Sequence, residues 1–230
     1  GRPGCHQLRL DALHAPAGPG HGAGAGPLRG HLAARLCGEP QALRAEHPDL
    51  RRLYDSSCNF IRPKKADGKF VDNFDPMQVW RGFQEGNAWQ YTFYVPHDVK
   101  SLVAKMGADE FNLRLDSIFT ISQKKIFSGG TEVGAFAGLQ TLYNQGNQPC
   151  LHISWLFNES GRPSLTQKWV RAILNEFYGT DGIHGYGYGQ DEDQGQLGAW
   201  YVMAAMGLFD VQGGACERPT FQMGSPLFDK

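Results

Sequence analysis

Residues 190–202 read Gln-Asp-Glu-Asp-Gln-Gly-Gln-Leu-Gly-Ala-Trp-Tyr-Val and join a Gly-rich loop to an apolar run that ends at Gly207. The run has helical character and predicts a last helix from Glu192 to Met206. Asp191 and Asp193 therefore place two carboxylates at its start, where backbone N–H groups and the helix dipole favour negative charge. The segment is either an ordinary helix start with capping Asp residues or a site that holds ionised carboxylates for chemistry.

The composition of the chain predicts a globular protein. Its 230 residues are 41% hydrophobic and 12% aromatic, which is enough to build a sizeable core. A formal net charge of −1 gives no electrostatic reason to expect nucleic acid as a partner. No run of eighteen apolar residues is present, so we expect no membrane span, and we expect no signal peptide within these residues. The oligomeric state is left open.

Residues 1–52 differ in composition from the rest of the chain. Gly, Ala, Pro, Leu, Arg and His account for 42 of the first 50 residues, and Ser, Thr, Lys and Asn do not occur among them. A natural disordered linker is normally rich in Ser, Glu or Lys. Two hypotheses remain, a wrong-frame translation of a GC-rich gene and a genuine low-complexity arm, and sequencing the coding DNA distinguishes them.

Residues 53–230 predict a mainly α fold. Helices are expected over 85–94, 98–106, 109–119, 132–143 and 192–206, with Gly/Pro loops between them. Another helix should follow the capping box Ser164-Leu-Thr-Gln167, and a helical segment should begin at Pro149. Residues 60–81 are expected to form a long ordered loop or a short hairpin. Short β pieces are expected near the C-terminus, at 209–211 and 221–223.

A second polar cluster, residues 82–91, reads Gly-Phe-Gln-Glu-Gly-Asn-Ala-Trp-Gln-Tyr. A lone Glu before an apolar helix is more often a cap than a catalyst. Here Glu85 has Asn87 and Trp89 beside it, an amide and a flat apolar ring that suit a sugar. If Glu85 is partly buried against Trp89, desolvation raises the pKa of its carboxyl, as a general acid requires. Glycoside hydrolysis needs one carboxyl whose pKa is raised, so that it can donate a proton, facing an Asp that stays ionised.

A third cluster, Asn144-Gln-Gly-Asn-Gln-Pro149, is followed by His152. A polar turn leading into a helix and a ligand-contacting loop explain this cluster equally well. His152 is as consistent with a buried core histidine as with a ligand.

The three clusters, in this order and spacing, resemble glycoside hydrolase family 92, the calcium-dependent exo-acting α-mannosidases. The stretch Val95-Pro-His-Asp98 and the terminal Gly224-Ser-Pro-Leu-Phe-Asp229 add to the resemblance. It implies an N-terminal β-sandwich packed on a C-terminal (α/α)6 barrel. On this basis, residues 53–230 are expected to be the C-terminal portion of that barrel, a partial (α/α)6 toroid. Such a fragment is expected to be inactive alone.

The resemblance also implies roles for individual carboxylates. Glu85 matches the general acid that protonates the departing glycosidic oxygen. Asp193 matches the general base that activates water, and Asp191 matches the acidic residue that shares or supports this role. Because inversion leaves room for a water molecule, we expect the Glu85 and Asp193 carboxyls to lie about 6.5–9.5 Å apart.

The resemblance further implies Ca²⁺ at the hydroxyls of the mannose ring, with Asp193 near the ion. The expected partner is a mannose-containing glycan, contacted by Asn87, Trp89, Asn147 and Gln148. Members that cleave α-1,2 linkages typically have Glu before the proline of the third cluster, whereas this chain has Gln148. A preference for α-1,2 linkages is therefore in doubt.

Two alternatives stay open. One is a non-catalytic glycan-binding helical toroid that kept the pocket, and it predicts saturable mannoside binding without release of sugar. The other is a different (α/α)6 carbohydrate-active enzyme.

The resemblance also implies an extracellular, secreted or periplasmic location.

Overall fold

The computed structural model describes residues 52–129, 137–179, 194–212 and 220–228. Within these ranges the chain is mainly helical, as predicted. The helices and strands follow in this order: β1 (Tyr54–Asp55), β2 (Phe60–Ile61), α1 (Ala88–Tyr91), α2 (Val99–Met106), α3 (Ala108–Gln123), α4 (Pro163–Glu176), α5 (Gln196–Ala205), β3 (Leu208–Phe209) and β4 (Gln222–Met223). Short 3₁₀ helices cover Ile126–Ser128, Ala137–Gln140, Gln148–Cys150 and Ile153–Asn158.

The predicted boundaries of α2 are confirmed. Asp98 is its N-cap, and the carboxylate accepts a hydrogen bond from the backbone N–H of Ser101 at 3.3 Å. The helix ends at Gly107, whose φ of +85° interrupts the helical path. The same glycine precedes α3, which begins at Ala108 and runs beyond the predicted end at Phe119.

The helix predicted over residues 85–94 is mostly wrong. Glu85 has φ +50°, a left-handed conformation that a right-handed helix cannot include. Asn87 instead caps a single turn, α1, and its side chain accepts from the N–H groups of Trp89 and Gln90. The first turn of helix at this point is therefore set by the cap and not by the apolar run.

Three other helix starts or extents differ from prediction. The prediction that a capping box at Ser164 starts the helix is wrong. Helix α4 begins with Pro163, whose fixed φ suits the first helical position. Helix α5 begins at Gln196 and not at Glu192, since Gln194 and Gly195 both have left-handed backbones. In the described part of 132–143 only the 3₁₀ helix Ala137–Gln140 forms.

The main core lies between α3, α4 and the 3₁₀ helix Ile153–Asn158. The ring of Phe119 stacks on Trp169 at 5.5 Å between centroids and contacts Tyr143 at 4.7 Å. All three side chains are buried. Burial of each such side chain stabilises the fold by about 1.5–3 kcal/mol.

The described residues form two sheets, and each is two-stranded and antiparallel. Strands β1 and β2 form a hairpin before the long loop, and Arg62 pairs with Asp55 at 2.8 Å beside it. The predicted C-terminal β pieces are confirmed, since β3 pairs with β4. Across the described ranges, no helix combines the length and the apolar character that a bilayer span requires.

Candidate active site

Glu85 lies in the turn before α1, with its side chain exposed. Its main-chain carbonyl oxygen accepts a hydrogen bond of 2.7 Å from Nδ2 of Asn147. Asn147 itself is buried, and its backbone N–H donates to the carbonyl of Asn144 at 3.1 Å. The second and third polar clusters of the sequence are therefore in direct contact.

The carbonyl group of Gln84, directly before Glu85, also accepts a side-chain hydrogen bond. The hydroxyl of Tyr91 donates to the carbonyl oxygen of Gln84, so α1 reaches back to the turn that precedes it. Gly86 lies directly against this helix, because a Cβ there would come within 2.7 Å of the Tyr91 ring and 2.8 Å of Gln90 Oε1. Only glycine fits at that position without displacing the tyrosine.

Asn87 has a structural role in this turn. Its Oδ1 accepts the two N–H groups of α1, and its Nδ2 donates to the carbonyls of Leu139 and Thr141 at 2.7 and 2.8 Å. Gln90 makes a parallel connection, donating to Gly138 and Thr141 at 3.0 Å each. Four bonds use the hydrogen-bonding capacity of the Asn87 amide.

Trp89 packs against residues of β2 and α3. Its ring packs edge-on against Phe60 at 4.9 Å, and the Arg114 guanidinium lies 5.5 Å from the ring centroid. The condition that Glu85 is partly buried against Trp89 is not met here. The ring is half-buried and completes the packing beneath α1.

The third cluster continues into a buried segment. Gln148 is half-buried at the start of the 3₁₀ helix Gln148–Cys150. Burial raises the pKa of the Cys150 thiol to about 12, so this thiol stays protonated. His152 is a core histidine, because its Nε2 lies 2.8 Å from the carbonyl of Phe93 and burial lowers its pKa to about 4. The neutral ring therefore donates this bond.

The helix that follows the acidic triplet is attached to the same segment. Trp200 of α5 donates from Nε1 to the carbonyl of Leu151 at 2.8 Å, and its ring stacks on Tyr178 at 5.7 Å. Asp191 and Asp193 lie outside the described residues. The predicted distance between the Glu85 and Asp193 carboxyls thus stays a prediction.

Two other features bear on the site. A cavity of about 260 Å³ lies beside the start of α2, and neither Glu85 nor Asn147 is among its lining residues. The cavity is therefore not formed by the residues around Glu85 and Asn147. In the parts of the chain that the structure describes, His, Cys, Asp and Glu side chains form no group of three that could hold a metal ion.

The connections of Glu85 were not evident from the sequence. Asn147 was expected to contact substrate, whereas its visible bond is to the protein backbone. The sequence assigns Tyr91 no role beyond its place at the end of the second cluster. No local pattern signals a bond between residues 62 positions apart, because it depends on how α1 packs against the third cluster.

Comparison with known proteins places this arrangement in a family. The profile of the glycosyl hydrolase family 92 catalytic domain matches residues 38–230. The family GH92 α-mannosidase BT3965 from Bacteroides thetaiotaomicron is 31% identical, with a TM-score of 0.63 over 77% of this chain and 21% of that protein. The family GH92 inverting mannosidase BT2199 from the same organism is 32% identical, with a TM-score of 0.64 over 82% and 26%.

A curated relative from Arthroderma benhamiae, named an uncharacterized secreted glycosidase, is 27% identical over 56% of this chain and 14% of its own length. The chain thus spans about a quarter or less of the relatives it matches. The helices described above correspond to part of the (α/α)6 barrel of the family's catalytic domain. The chain belongs to glycosyl hydrolase family 92.

Proposed function

We propose that the protein carrying this sequence is an exo-acting α-mannosidase that hydrolyses terminal α-mannosyl residues of glycans. The observation that carries the proposal is the bond from Asn147 to the carbonyl of Glu85, which joins two separate motifs of the family around one carboxylate. Family membership supports the same reading. One solved relative is in complex with mannoimidazole, which makes a mannose-shaped substrate the natural candidate.

In the proposed reaction, Glu85 in its acid form gives a proton to the glycosidic oxygen as the bond from C1 to that oxygen breaks. Water attacks C1 from the opposite face, and its proton passes to Asp193, with Asp191 supporting that base. The products are free mannose with inverted configuration and the shortened glycan. The exposed position of the Glu85 side chain leaves it open to a substrate from solvent.

The remaining assignments follow the same proposal. Asn147 and Gln148 are proposed to contact the substrate on the side of the leaving group. Asn87 caps α1, and Trp89 packs beneath that helix. Ca²⁺ is proposed near Asp193, which would contribute an oxygen ligand. Secretion is proposed from the resemblance and from the name of the fungal relative.

The test uses the full-length gene product with an aryl α-mannoside and with α-linked mannobioses. We expect release of mannose that appears first as the β-anomer by NMR, and that falls on chelation and returns with added Ca²⁺. Glu85→Gln and Asp193→Asn should each lower turnover of mannobiose by roughly two to four orders of magnitude. Saturable binding without any release of sugar in the wild type would instead support the non-catalytic toroid.

A further inference from the structure

Two hydrogen bonds hold the backbone around Glu85. Asn147 donates to the carbonyl of Glu85 at 2.7 Å, and the Tyr91 hydroxyl donates to the carbonyl of Gln84. Two successive carbonyl groups are thus fixed by side chains from two different parts of the chain. Such bonds to the main chain restrict its direction without involving the carboxylate itself.

The backbone at this point needs that support. Glu85 has φ +50°, and non-glycine residues occupy this left-handed region only when their surroundings maintain it. Gly86 follows and lies against the Tyr91 ring so closely that no Cβ fits. The direction in which the Glu85 side chain leaves the turn is therefore determined by the tyrosine and the asparagine.

The Tyr91 hydroxyl is suited to a permanent donor role. Burial, with smaller contributions from Cys150, Tyr94 and Glu85, raises its pKa to about 12. It consequently remains protonated over the whole range in which a glycosidase works. Its ring is held separately, by Phe83 at 5.5 Å and Tyr94 at 5.8 Å, so the hydroxyl can be removed while the packing stays.

The geometry points to Tyr91 and Asn147 as positioning residues that aim the proton-donating carboxyl of Glu85 at the glycosidic oxygen. This inference rests on the proposed function, because it needs Glu85 to act as general acid. It adds a role for Tyr91 and makes the bond from Asn147 to the backbone part of the catalytic geometry. Neither side chain transfers a proton itself.

A general acid matters most when the leaving group is poor, and this gives the test. Tyr91→Phe in the full-length gene product is compared on α-linked mannobiose and on 2,4-dinitrophenyl α-mannoside, whose phenolate leaves with little protonation. We expect kcat on mannobiose to fall about tenfold, as for one lost hydrogen bond, with KM little changed. On the dinitrophenyl substrate kcat should stay within about twofold of wild type.

Tyr54→Phe is the matched control. Tyr54 is another tyrosine with a pKa raised to about 12, and its hydroxyl donates to Asn59 at 2.9 Å, away from the Glu85 turn. Its loss should affect both substrates equally or not at all. Unfolding midpoints of both variants show whether either change acts through stability.

Any one of three results would overturn the inference. If Tyr91→Phe lowers turnover of both substrates to the same extent, or matches Tyr54→Phe, the tyrosine does not position the acid. If Glu85→Gln itself fails to discriminate between the leaving groups, the assignment of Glu85 as general acid is wrong and the positioning role is lost with it. If Glu85→Gln lowers kcat on mannobiose far more than on the dinitrophenyl substrate but Tyr91→Phe does not, only the positioning role of Tyr91 is wrong.

Discussion

The side-chain amide of Asn147 donates a 2.7 Å hydrogen bond to the main-chain carbonyl of Glu85, 62 residues earlier in the chain. This bond attaches the third polar cluster to the turn that carries the proposed general acid. Asn147 is buried, and the bond to the exposed Glu85 is partly buried.

Asn147→Asp keeps the size of the side chain but replaces the donor N–H with a carboxylate facing a carbonyl oxygen. We expect a loss of about 1–3 kcal/mol in the free energy of unfolding, together with lower turnover of mannobiose. Asn112→Asp is the control, since Asn112 is also buried and donates to the carbonyl of Ala108 at 2.8 Å. Denaturant unfolding and activity are measured on both. Equal losses of activity would contradict a specific role for Asn147.

His152 predicts a pH dependence of stability. Burial lowers its folded pKa to about 4, whereas the unfolded value is about 6.5. Between these values the unfolded chain binds a proton that the folded chain does not, so stability falls as the pH falls from 6.5 towards 4. The full contribution is about 3 kcal/mol. Unfolding free energies at several pH values for wild type and His152→Gln should differ in slope across this window, and parallel curves would rule the effect out.

Replacing Trp200 and replacing Trp155 should affect the stability of the fold to different extents. Trp200 donates to the carbonyl of Leu151, whereas Nε1 of the buried Trp155 has no hydrogen-bond acceptor among the described residues. Both Trp→Phe changes remove similar ring volume, but only Trp200→Phe removes a hydrogen bond, the one to the half-buried Leu151 carbonyl. We expect Trp200→Phe to lower the free energy of unfolding by about 1 kcal/mol more than Trp155→Phe does. Thermal unfolding of the two variants provides the comparison, and equal midpoints would contradict it.

Gln148 predicts the linkage preference. The family resemblance implies that members cleaving α-1,2 linkages typically have Glu where this chain has the neutral amide of Gln148. On that basis the wild type should hydrolyse α-1,2-mannobiose less efficiently than other linkages. Gln148→Glu should raise the ratio of kcat/KM for the α-1,2 linkage over the α-1,3 linkage by about tenfold, as for one charged hydrogen bond. Gln140→Glu, at an exposed position, serves as the control. An unchanged ratio would show that Gln148 does not contact the leaving group.

Local sequence signals, such as capping and helix-stopping residues, were enough to predict the boundaries of some helices. The boundaries of α2 follow from Asp98 as a cap and Gly107 as a stop, and both act within one turn of the helix. The same signals failed at α1, where the apolar run suggested ten helical residues. There the left-handed Glu85 and the cap at Asn87 override the run, because contacts with Asn147 and the 139–141 segment determine the backbone.

The sequence by itself determined that the chain is mainly helical, which motifs it carries and to which family they correspond. Those properties are encoded in residue types and their spacing along the chain. Tertiary structure alone decided that Asn147 and Tyr91 hold the backbone at Glu85, and that His152 is a neutral core residue. The reason is physical: a hydrogen bond between distant residues, and the burial that moves a pKa, exist only once the helices have packed together.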